Sequence, residues 1–192
     1  MSKTRLEAFS DGVMAIIITI MVLELKVPHG GDLHALQPLV PVFLSYVLSF
    51  VMVGIYWNNH HHLLHACPHV NAKILWANLV LLFWLSLVPA GTAWVGEYPG
   101  NALPAALYGG IYLMAAIAYE VLQRLIVARH GRDSKLQAAI GSDIKGWASL
   151  TMYLLAIPAA LLISPSISYV LYVLVALLWL IPDRRIESAL HD

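Results

Sequence analysis

Charge is scarce in this chain. Only 11% of its 192 residues are Asp, Glu, Lys or Arg, against about 25% in an ordinary soluble domain. Eleven basic residues balance eleven acids, so no bulk charge draws the chain to nucleic acid. Cysteine occurs once, as Cys67, which excludes an intrachain disulfide. No Cys–His zinc spacing is present, and no apolar run carries the regularly spaced arginines of a voltage sensor. Lys3 and Arg5 precede the first apolar run as in a signal peptide, but no small-residue cleavage site follows. That run is therefore expected to stay as an uncleaved first span.

What the chain has in excess is apolar surface. It is 60% hydrophobic, with a mean hydropathy of +0.75, which places it in the membrane class. A helix needs about 20 mostly apolar residues to cross the hydrocarbon. Six stretches qualify: 6–26, 38–59, 72–95, 102–124, 147–163 and 166–182, the last two short and joined as a hairpin at "SPS". "VPHGG", "EYPGN" and "RHGRD" break the chain between runs. No soluble domain and no internal repeat remain, so residues 1–192 read as one six-helix transmembrane domain. Six Trp and nine Tyr suit the headgroup level.

The basic residues test this map. Lys3, Arg5, Lys73, Arg124, Arg129, Arg132, Lys135, Lys145, Arg184 and Arg185 fall on one side, and only Lys26 on the other. Short loops rich in Lys and Arg stay cytoplasmic. The bias predicts a multi-pass protein of the cell membrane with both termini cytoplasmic, in contact with lipid. The basic connection 124–145 would lie near anionic headgroups.

The first run, "FSDGVMAIIITIMVLEL", is the odd one. Its apolar part is too short to span without drawing in Asp11 and Glu24. A charge at the bilayer centre costs at least about 2.5–3.5 kcal/mol, so such a helix belongs inside a bundle. At 100° per residue Ile16, Thr19, Ile20 and Leu23 form one stripe, with Ser10 and Asp11 pointing elsewhere. The stripe reads either as helix packing, with the Thr19 hydroxyl bonded back to the Ala15 carbonyl, or as a pore wall.

Nine histidines are present, five of them in "NNHHHLLHACPH". His61, His65 and His69 recur every fourth residue. Metal, haem and pH-sensing readings compete with a plain polar cluster at the cytoplasmic end of the second span. Asp11 and Arg5 lie at the level of Asn58, His60, His61 and His62. A half-buried acid needs partners. Ser10 and Asp11 are expected to bond one of these histidines, and Asn78 or Trp76 on the third span.

"RLEAFSDGVMAIIITIMVLEL" resembles the opening signature of the transmembrane protein 175 family, the lysosomal-type potassium channels and their prokaryotic relatives. Arg5, Phe9, Ser10 and Asp11 stand at its spacing. "SFVMVGIYWNNHHHL" (49–63), "ILWANL" (74–79) and "LIPDRRIE" (180–187) extend the likeness over nearly the whole chain. The resemblance implies an all-α membrane protein with six transmembrane helices per subunit. It implies a homotetramer with the first helix lining a central pore, permeable to K+ and other monovalent cations and free of cofactors. It also implies a hydrophobic constriction at Ile16, a threonine layer at Thr19 and an outer apolar layer at Leu23. No Thr-Val-Gly-Tyr-Gly filter occurs, and "YGG" (108–110) is no substitute. The rival readings are a proton-coupled secondary transporter using Asp11 and the histidines, and a His-rich membrane oxidoreductase. The first would show broken helices and internal repeats; the second would carry haem or a metal pair.

Overall fold

In the computed structural model, residues 2–67, 69–128 and 143–180 are described, and every regular element among them is helical. The order is α1 (Lys3–Leu23), a 3-10 turn (Leu33–Leu39), α2 (Val40–His65), α3 (Ala72–Ser86), α4 (Val88–Glu97), α5 (Ala102–Val127), α6 (Ile144–Leu162) and α7 (Pro165–Leu180). The connection 129–142, its basic residues, and "IPDRRIE" at 181–187 lie outside the described residues.

α1, α2, α5, α6 and the α3–α4 pair are each long and apolar enough to cross a membrane, and α7 is a shorter apolar helix. Among the described residues five stretches are thus long enough to span and one is shorter, close to the six that the hydropathy runs predict. The boundaries shift for local reasons. α2 runs to His65, well past the expected end at 59, because Asn58–His65 contains no helix breaker. At ~1.5 Å per residue its 26 residues reach ~39 Å, longer than the hydrocarbon, so one end projects. The third crossing bends at Leu87. Pro89 has no N–H to give the Leu85 carbonyl, and its ring crowds it. Leu87 N–H turns instead to the Trp84 carbonyl at 3.2 Å. Asn71 opens α3 and Asp143 opens α6, each side chain accepting a backbone N–H three residues on.

α1 packs on α2, α3 and α4, whereas α5 sits among α3, α4, α6 and α7. The interior of that second group is tyrosine. Tyr108, Tyr112, Tyr153 and Tyr172 are fully buried, with neighbouring ring centroids 4.9–6.2 Å apart. For these four this corrects the expectation that the tyrosines sit at headgroup level. Small residues on α5 and α6 (Ala105, Gly109, Ala156, Ala160) leave room for the rings. The Tyr108 and Tyr172 hydroxyls find partners inside, whereas that of Tyr112 is buried without one among the described residues. Tyr172 donates to the Ala105 carbonyl at 2.9 Å, and Tyr108 pairs with Ser49 at 2.9 Å.

A methyl group on Gly109 would overlap the Tyr172 hydroxyl. Gly109→Ala is therefore expected to cost about 1–3 kcal/mol by overpacking. Thermal unfolding in detergent checks this; an unchanged midpoint would mean the ring moves freely aside.

Candidate functional site

α1 has two faces. Leu6, Ser10, Met14, Ile17 and Met21 recur at helical spacing and are buried against α2, α3 and α4. The opposite face is left uncovered by the subunit. Ile16 is 58% exposed, Ile20 42% and Leu23 81%, and Thr19 is exposed as well. Thr19 Oγ1 donates to the Ile16 carbonyl at 2.9 Å, not to Ala15. Its one proton is spent on its own helix, which leaves oxygen lone pairs for a cation.

The buried face is fastened by a polar chain across three helices. Asn78 on α3 donates through Nδ2 to Ser10 Oγ on α1 at 3.0 Å. Asn78 Oδ1 lies 2.6 Å from His60 Nε2 on α2. Ser10 in turn donates to the Leu6 carbonyl at 2.9 Å. Ser10, His60 and Asn78 are each at most 1% exposed. Low-dielectric surroundings strengthen a fully satisfied set of this kind. Lys3 adds a tie at the helix start, donating to the His65 carbonyl at 2.6 Å.

Asp11 behaves differently from the expectation. Its carboxylate accepts from Trp57 Nε1 at 3.0 Å, and no histidine among the described residues bonds it. One residue past Ser10 the helix has turned 100°, so Asp11 leaves the Asn78 direction and meets α2 one turn before His60. His61 stacks on Trp57 with centroids 6.1 Å apart and on His65 at 6.4 Å. His62 packs edge-on to His61. Of the three adjacent histidines only His60 enters the anchor. The other expected members stay outside it. Trp76 is 67% exposed and Phe9 50%, and Arg5 and Asn58 are exposed. By helical angle Arg5, Phe9 and Gly12 extend the uncovered stripe toward the N-terminus. Trp57, the partner of Asp11, is the contact residue that the sequence reading missed; its place one turn before His61 was the available signal. Among the described residues, no group of three or more His, Cys, Asp or Glu is arranged to hold a metal ion.

Residues 5–89 match the family model for the endosomal/lysosomal potassium channel TMEM175. That segment runs from α1 to the start of α4 and contains both the stripe and the anchor. A potassium channel of Chryseobacterium sp. (strain P1-3) is 55% identical over all 192 residues, covering 100% of both chains. The chain belongs to the TMEM175 family. A crystal structure titled as a lysosomal potassium-selective channel TMEM175 homolog from Chamaesiphon minutus superposes with a TM-score of 0.81 at 29% identity, covering 94% of this chain and 97% of that one. The human endosomal/lysosomal proton channel TMEM175 is 40% identical over 96 residues, 43% of this chain but only 19% of that protein. TMEM175 proteins are ion channels, not enzymes, and this one is a multi-pass membrane protein.

Proposed function

We propose that this protein forms a homotetrameric, potassium-permeable cation channel in the cell membrane, with four copies of α1 around the conduction path. The observation that carries the reading is the uncovered Ile16, Thr19, Ile20 and Leu23 face on a helix whose other side is anchored in the subunit core. One helix cannot enclose a path, and cyclic symmetry turns each of its residues into a ring.

Ile16 forms the tightest ring. Its β-branched side chain is stiff at χ1, so four copies close on the axis with little slack. An apolar ring gates by dewetting and penalises the ion that gives up its water less readily. Potassium holds its hydration shell less tightly than sodium, so it passes at lower cost. The Thr19 ring, about one turn away, returns a few oxygen contacts. No carbonyl filter and no cofactor enter this mechanism.

Mass measurement in detergent is expected to give four chains per particle; a monomer that still conducts would overturn the assembly. Topology is checked by labelling. In a Cys67→Ser background Tyr98→Cys is expected to react from outside the cell and Ser134→Cys only after permeabilisation. The reverse pattern would invert the map. Resolved single-channel potassium steps in a planar bilayer separate this reading from a proton-coupled transporter, whose turnover is far slower.

A further inference from the structure

The uncovered face of α1 does not end at Ile16. At 100° per residue Arg5, Phe9 and Gly12 lie within about 40° of Ile16 around the helix. Phe9 is 50% exposed, and Arg5 and Gly12 are exposed as well. A methyl group on Gly12 would meet nothing within 4 Å, so the stripe stays open between Phe9 and Ile16. The face that carries the apolar residues thus carries a guanidinium at its N-terminal end.

Arg5 differs from the other charges at this end of the subunit. Lys3 is held against its own bundle, donating to the His65 carbonyl at 2.6 Å and standing 3.9 Å from Glu7. Asp11 accepts from Trp57, and Arg124 is paired with Glu120. Among the described residues Arg5 has no ion pair. The helix end adds to its charge. The unsatisfied N–H groups of a first turn amount to about +0.5 elementary charge, and no acid stands in the first turn of α1.

We propose that Arg5 sets the rate at which cations enter the pore from the N-terminal side, as a ring of positive charge at that mouth. The proposal rests on the tetrameric pore above, in which symmetry turns one arginine into four around the axis. Such a ring thins the cations in front of it, about threefold for each kT of potential. With the N-terminus cytoplasmic, potassium leaving the cell meets the ring first and potassium entering meets it last. Outward current is therefore the smaller. Ion preference is left alone, for two reasons. The ring senses charge, which potassium and sodium share. It also stands ~16 Å from Ile16 along the axis, beyond the ~8 Å Debye length of physiological salt.

Currents in excised patches under symmetrical KCl test this. At ~0.01 M salt, where the Debye length is ~30 Å, Arg5→Gln is expected to raise outward current about threefold relative to inward. Arg5→Lys should keep the wild-type rectification. At 1 M, where the Debye length is ~3 Å, the variants should coincide. Potassium–sodium reversal potentials should not move. Arg5→Cys in a Cys67→Ser background makes the same comparison on channels already assembled. Modified from the cytoplasmic side, a methanethiosulfonate carrying an ammonium should keep outward current small, and one carrying a sulfonate should raise it. Equal rectification in wild type and Arg5→Gln, a difference that persists at 1 M, or a loss that Arg5→Lys fails to restore would each overturn the proposal while leaving the tetrameric pore intact. A monomeric mass, or the absence of resolved channel steps, would remove the pore and this proposal with it.

Discussion

Replacing Ile16 by Asn is expected to raise potassium conductance and to lower the preference for potassium over sodium. The side chain is 58% exposed in the subunit, so the substitution breaks little intrasubunit packing and, in the proposed tetramer, its effect falls on the ring. Four amides in place of four branched alkyl groups wet the constriction and offer polar atoms to either ion. The dehydration penalty that separates them then shrinks. A fall in the permeability ratio of about tenfold corresponds to ~1.4 kcal/mol of barrier difference. Bi-ionic reversal potentials measure it directly. Thr19→Val provides the contrast. It keeps the shape and deletes the oxygen that accepts cations, so selectivity should weaken without a leak. If Ile16→Asn changes neither quantity while Thr19→Val abolishes selectivity, the hydroxyl ring is the filter and the apolar ring is not.

Replacing Asn78 by Leu is expected to dismantle the protein sooner than to alter its ion preference. Asn78 serves Ser10 and His60 at once, and all three are buried. Interhelical hydrogen bonds within membranes are worth about 0.6 kcal/mol on average. By that figure alone, losing two would be tolerable. The larger cost is the stranded partner: a buried polar group left without one costs about 1–3 kcal/mol. The sum, about 2–4 kcal/mol, is a large part of a typical folding stability. Loss of the oligomer peak on size exclusion and a lower unfolding temperature are the expected signs. Asp11→Ala should do less, because its bond to Trp57 lies toward solvent, where hydration replaces much of what is lost. An Asn78→Leu protein that assembles normally and conducts with altered selectivity would refute this division between anchor and pore face.

The contrast between Ser10 and Asp11 shows where sequence reading reaches its limit. Both stand in one motif, and both were expected to meet a histidine. The structure sends Ser10 to Asn78, which in turn bonds His60, and Asp11 to Trp57. Adjacent helical residues diverge by 100°, and which neighbour stands in each direction depends on how α2 and α3 are rotated about their own axes. Sequence fixes neither rotation. The histidine run is the same case: three identical residues in a row offered no way to choose among them. Only His60 faces inward, and the helix–helix contact decides that.

The tyrosines were misread for a related reason. A phenol is amphipathic and suits an interface when nothing else is known. Here Gly109 and its small neighbours form a socket that takes the ring, and backbone carbonyls inside the bundle take the hydroxyl. Such sockets are assembled from α5, α6 and α7 together, and no single run displays them.

By itself the sequence determined the membrane class, the succession of apolar helices and the stripe on α1. Each of these rests on local quantities: apolar run length against bilayer thickness, and the 100° step of a helix. The tertiary structure alone decided that the stripe stays uncovered in the subunit and that Ser10, Asn78 and His60 meet. Those features depend on the relative rotation and depth of several helices. That rotation is set by the sum of many weak side-chain contacts across interfaces, and no segment of the chain carries that sum on its own.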